Sequence, residues 1–95
     1  MADIEVERNH GLNFDEARVK AKQLLAKAQE KYGVAVDYAE GANQDIATAK
    51  HMGANIKGVL DEQKIRFEIK LGMFAKPMKG KIKEGLEKNM DKYFA

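Results

Sequence analysis

The sequence predicts a two-layer α+β fold: an antiparallel sheet of about five strands with two helices on one face, in the order β-α-β-β-β-β-α. Three observations carry this. In Lys64–Leu71 the residues Ile65, Phe67, Ile69 and Leu71 alternate with Lys64, Arg66, Glu68 and Lys70, which is the period of a half-buried strand. At the C-terminal end Phe74, Met78, Ile82, Leu86, Met90 and Phe94 recur every four residues, and Asn89/Met90 and Tyr93/Phe94 widen that stripe, the pattern of a long amphipathic helix. Between the helical stretches, short alternating runs are separated by turn clusters too short for crossover helices, so consecutive strands run antiparallel.

Taken in order, Ile4 and Val6 alternate with Glu5, Glu7 and Arg8 in a short strand, and a turn region with Gly11 follows. Asn13 is placed as an N-cap, with Glu16 three residues on as its capping-box partner. Phe14, Ala17, Ala21, Leu24, Ala28 and Tyr32, with Leu25 beside them, form one face of the first helix. Arg18, Lys20, Lys22, Lys27, Gln29 and Lys31 form the opposite, solvated face, and Gly33 ends the helix as its C-terminal cap. Val34, Val36 and Tyr38 alternate with Ala35, Asp37 and Ala39 in the second strand. Glu40–Asn43 is a turn. Asp45–His51 reads as a strand with Ile46, Thr48 and Lys50 on one face and Ala47, Ala49 and His51 on the other, although its alanines suit a helix equally well. Met52–Asn55 is a turn, Ile56–Leu60 a strand in which Gly58 marks a bulge, and Asp61–Gln63 a turn into Lys64. Pro77 suits the first turn of a helix, so regular helix is expected near it. The order is that of a shortened relative of the helix-grip folds, a topological likeness without functional content.

Ninety-five residues are expected to form a single domain, 1–95. No cysteine is present, which excludes a disulfide frame and a thiolate metal site. The opening MADIEVERNH lacks a hydrophobic signal region, and no apolar run approaches a membrane span, so the whole chain is expected to be the mature, cytoplasmic protein. Net charge is +2, but residues 64–83 carry +6 while residues 1–63 carry −3 and residues 84–95 carry −1. The basic character is local to the strand-to-helix link.

Catalytic chemistry is not suggested. His10 and His51 are the only histidines and lack metal-ligand spacing; exposed turn or strand-end positions are expected for both. No serine is present and Thr48 is the only hydroxyl outside the tyrosines, so an activated nucleophile has few candidates. Neither a metal nor a cofactor is expected. The segment MFAKPMKGKIK is more informative. It puts Lys76, Lys79, Lys81 and Lys83 in the first turns of a helix, where the helix dipole disfavours cations, and Gly80 and Gly85 weaken the helix further. Met73, Phe74 and Met78 lie among these lysines. Two readings fit: the apolar side chains finish the core under a solvated lysine face, or the segment meets an anionic or interfacial partner.

The residues also carry a resemblance that runs nearly end to end. IEVERNHGL, ARVKAKQLLAKAQEKYG and above all RFEIKLGMFAKPMKGKIKEGLEKNMDKYFA are similar to the opening strand, first helix and terminal strand-turn-helix of the small bacterial family of polyhydroxyalkanoic acid system proteins. Leu71, Gly72, Pro77, Lys79, Gly80 and Ile82 sit where that pattern has them, and Asn43–Gly58 departs most from it. The resemblance implies a cytoplasmic protein associated with polyhydroxyalkanoate storage and supplies no catalytic residues.

The expected function is therefore that of a non-enzymatic accessory protein acting at the granule surface or on a granule protein. Its contact residues would be Met73, Phe74, Lys76, Pro77, Met78, Lys79 and Lys81. The alternative is a carrier of acyl chains or hydroxyacids with a cavity between the sheet and the C-terminal helix, lined by Phe67 and Ile69. Nucleic-acid binding is not expected, because only Phe67 and Phe74 could serve as stacking platforms near the basic segment. A homodimer through an exposed edge strand, Ile4–Arg8 or Asp45–His51, is a further possibility.

Overall fold

The computed structural model describes residues 3–51, 53–73 and 75–94, with the backbone alone at Tyr32. The elements are β1 (Ile4–Asn9), α1 (Phe14–Tyr32), β2 (Ala35–Ala39), β3 (Gln44–His51), β4 (Ala54–Asp61), β5 (Lys64–Leu71), a 3-10 turn (Lys76–Met78) and α2 (Lys79–Phe94). The strands form one antiparallel sheet in the order β1-β5-β4-β3-β2. This is the β-α-β-β-β-β-α arrangement expected.

The alternating strand at Lys64 is the centre of the packing. Ile65, Phe67, Ile69 and Leu71 are all buried and pair across the sheet with Ile4, Val6 and Arg8 on one side and with Ala54, Ile56, Gly58 and Leu60 on the other. Helix α1 covers β4 and reaches β2, α2 covers β1, and the two helices touch. Ala17, Ala21 and Leu24 of α1 and Met90 and Phe94 of α2 join the same apolar cluster. Burial of these side chains, at about 25 cal/mol per Å² of apolar surface, is the main favourable term in folding.

Capping follows the local chemistry. The Asn13 side chain accepts from Glu16 N–H at 2.8 Å and donates to the Glu16 carboxylate at 2.9 Å, which starts α1. Gly33 ends it at φ 65° and donates to Gln29 O.

Three expectations, on β3, β4 and Gly58, are corrected. Strand β3 is internal, paired with both β2 and β4, so Asp45–His51 offers no free edge; the sheet edges are β1 and β2. Strand β4 begins at Ala54, opposite His51, so only two residues turn the chain there. Gly58 marks no bulge: pairing continues through it to Ala47 and to Phe67. Its role is space, since a Cβ there would lie 2.7 Å from Phe67 Cε1. Regular helix starts at Lys79, near Pro77 as expected, and Pro77 lies in the 3-10 turn Lys76–Met78 that leads into it. The carrier reading expected Phe67 and Ile69 on the wall of a cavity between the sheet and the C-terminal helix; both are buried in the apolar core. The space between α1 and the sheet, next to Gly58 and Phe67, is about 10 Å³, room for no more than a water.

Candidate functional site

The end of β5 is held by hydrogen bonds from its backbone N–H groups. Leu71 N–H donates to the Asp3 carboxylate at 2.8 Å, and Gly72 N–H donates to Gly53 O at 2.8 Å. A Cβ on Gly72 would lie 2.7 Å from that same carbonyl, so only glycine lets the chain approach the β3–β4 turn this closely. Gly72 O then accepts from both Ala75 and Lys76 N–H, and Ala75 O from Met78 N–H. This coil turns Ala75 into the core, at 7% exposure, and turns Met73 and Met78 outward.

Met73 is 84% exposed and Met78 51%. Among the described residues the only other large hydrophobic side chain exposed to this degree is Val19. Lys76, Pro77, Lys79 and Lys81 are exposed around the two methionines. Six of the seven residues expected at the contact are exposed; Phe74 lies outside the described residues. Met78 does not extend the buried stripe of α2, which comprises Ile82, Leu86, Met90, Tyr93 and Phe94.

Ion pairs are unevenly distributed over the surface. Arg8 pairs with Glu87 and Asp91, Lys64 with Glu7, Arg66 with Glu5 and Glu68, and Lys88 with Glu84. Among the described residues Lys76, Lys79, Lys81 and Lys83 enter no ion pair. The first turn of α2 contains no acidic residue, so nothing offsets the dipole there. Asp3 interacts electrostatically with Lys76 and Lys79. The Leu71 N–H that it accepts, aided by the positive charge of Lys76 and Lys79, holds its carboxyl below the usual range.

A second cluster, on the opposite side of the sheet centre, was not anticipated. Asp45 is 1% exposed. Arg18 grips it with Nε to Oδ2 at 2.7 Å and Nη2 to Oδ1 at 2.8 Å, Tyr38 Oη donates to Oδ2 at 2.6 Å, and Gly41 N–H donates to Oδ1 at 3.1 Å. Arg18 also donates to Gly41 O and lies over the Phe14 ring, while Lys22 pairs with Glu40. Burial pushes the Asp45 carboxyl up, but the Arg18, Tyr38 and Gly41 donors more than offset it and bring it to about 2. Burial, together with its hydrogen bond to Asp45, raises the Tyr38 hydroxyl, and the hydrogen bond to Asp45 raises the Arg18 guanidinium. Arg18 therefore belongs to a buried ion pair and not to a solvated face. The sequence signal was Asp45 itself, which shares the inward register with Ala47 and Ala49.

His10 is also corrected, being buried at 6% exposure. Its Nδ1 accepts from Leu12 N–H at 3.1 Å, so the proton sits on Nε2, which donates to Asp61 O at 2.8 Å. It ties the loop before α1 to the β4–β5 turn. Among the described residues no three His, Asp or Glu side chains gather as a metal site, and no helix is long and apolar enough to cross a membrane.

These features define a small α+β module with a sheet-and-helix body and an exposed basic, methionine-bearing segment. Residues 4–94 match the family model described as "Putative polyhydroxyalkanoic acid system protein". The chain belongs to that family. No curated protein and no solved structure matches it.

Proposed function

We propose that the protein is a non-enzymatic accessory factor of polyhydroxyalkanoate storage, and that it binds the granule surface or a granule-associated partner through Met73–Lys81. The observation that carries this is the pair of outward methionines on a segment whose lysines, also exposed, enter no ion pair among the described residues. A polyester surface is apolar and accepts flexible thioether side chains without demanding one fixed shape. Burying both methionines contributes about 2 kcal/mol each at most, and anionic groups at the surface would add attraction to Lys76, Lys79 and Lys81. The non-enzymatic reading is supported by the buried polar groups. Asp45 and both ring nitrogens of His10 already have partners within the fold, which leaves them no free position for a substrate.

The test is co-sedimentation with isolated granules. Wild-type protein is expected to be retained. Lys76→Glu/Lys79→Glu/Lys81→Glu, which alters exposed positions only, is expected to keep its circular dichroism spectrum and lose retention. Unchanged retention of that variant would remove the segment from the binding surface.

A further inference from the structure

The chain contains five methionines and no cysteine, so thioethers are its only sulfur. A thiol is the usual first target of a peroxide; in its absence methionine takes that place. Access then decides which methionine reacts. Met73 is 84% exposed and Met78 51%, whereas Met90 is at 0%, packed within the apolar cluster. An oxidant reaches Met90 only when the core opens. Met1 and Met52 lie outside the described residues.

Oxidation changes these two positions in kind. A peroxide transfers one oxygen atom to the thioether sulfur: its O–O bond breaks, an S–O bond forms, and from hydrogen peroxide water leaves. The sulfur is oxidised by two electrons and the peroxide is reduced by two. The product is a polar sulfoxide in place of a flexible apolar side chain. Seating that group on an apolar surface carries the cost of burying an unpaired polar atom. The adaptability that suits a thioether to a polyester surface therefore brings sensitivity to oxidant. Neither Met73 nor Met78 belongs to the apolar cluster of the fold, so the change falls on the contact and not on the core.

We propose that Met73 and Met78 form a reversible oxidation site, and that conversion of both to sulfoxides by a peroxide releases the protein from the granule surface; this rests on the granule-binding reading above and adds its regulation. The reverse step belongs to a thiol-dependent methionine sulfoxide reductase. Two thiols become a disulfide, the sulfoxide oxygen leaves as water, and the thioether returns. Both side chains are exposed to such an enzyme in the unbound protein.

The experiment treats the folded full chain with graded hydrogen peroxide, maps the added oxygen by peptide mass spectrometry, and sediments each sample with isolated granules. Met73 and Met78 are expected to gain one oxygen each before Met90 gains any, with the circular dichroism spectrum unchanged. Retention is expected to weaken about tenfold or more once both are oxidised, as loss of two apolar contacts requires, and to return after reductase treatment. Met73→Leu/Met78→Leu preserves apolar volume without sulfur, and its retention is expected to be the same with and without peroxide. Oxidation of Met90 as early as that of Met73 and Met78 would overturn the proposal. So would full retention of the doubly oxidised protein, release of the leucine variant by peroxide, or a loss that the reductase does not restore; these outcomes leave the granule reading standing. Failure of the untreated protein to be retained would overturn that reading and this proposal with it.

Discussion

Asp45→Ala is expected to lower stability by about 3 kcal/mol, the low end of the range for breaking a buried ion pair. Asp45 is the acceptor for three donors that join α1, β2 and the β2–β3 turn. Without it, Tyr38 loses its acceptor, and the half-buried Arg18 keeps the Gly41 carbonyl, the Phe14 ring and Glu40 at 3.8 Å. The arginine still reaches water, which is why the low end applies. Urea unfolding at neutral pH measures the loss. The same group contributes a pH dependence of defined sign. Its folded-state pKa of about 2 lies below the ordinary 3.8, so its stabilisation is complete above about pH 4 and is lost as pH falls towards 2. That contribution is about 2 kcal/mol. Asp3 and Asp61 are shifted in the same direction, Asp61 because the Gln63 and Lys64 N–H groups outweigh the effect of its burial. Asp45→Asn is therefore expected to shrink the acid limb without abolishing it; an acid limb as steep as that of the wild type would contradict the assignment.

Gly58→Val is expected to cost about 3 kcal/mol, at the upper end for overpacking a core. The new Cβ would fall 2.7 Å from Cε1 and 3.1 Å from Cδ1 of Phe67. The ring is 3% exposed, between α1 and the sheet, and the adjoining space of about 10 Å³ is far too small to receive it. A β-branched side chain adds two methyl groups with little rotamer freedom. Thermal unfolding of Gly58→Val alone and combined with Phe67→Leu separates this collision from a backbone effect. The second change should restore part of the loss, because it removes the ring that the valine meets. If the two losses simply add, the role of Gly58 lies in its backbone.

Most of the architecture was legible because local signals and burial agree. Asn13 and Glu16 cap α1 in the manner their spacing implies, Gly33 closes it, and the alternation from Lys64 to Leu71 sets the face on which both helices lie. The harder features depend on pairing between distant segments. Whether Gly58 was a bulge or a clearance depended on its being opposite Phe67, which only the register decides. Arg18 follows Phe14 by four residues and precedes Ala21 by three, so it borders the apolar stripe, yet its partner Asp45 lies 27 positions away. His10 was read as exposed because its acceptor, Asp61 O, lies 51 positions away. At the candidate site the lysine cluster was legible from charge alone. The outward turn of Met78 was not, because it depends on α2 starting at Lys79 after a 3-10 turn.

The most direct measurement of the central claim is hydrogen–deuterium exchange of the protein on and off isolated granules. Binding through the methionine-bearing corner predicts added protection in peptides spanning residues 72–83, with α1 and the strands unchanged. Protection centred on α1 or on the outer face of the sheet, or none anywhere, would contradict it.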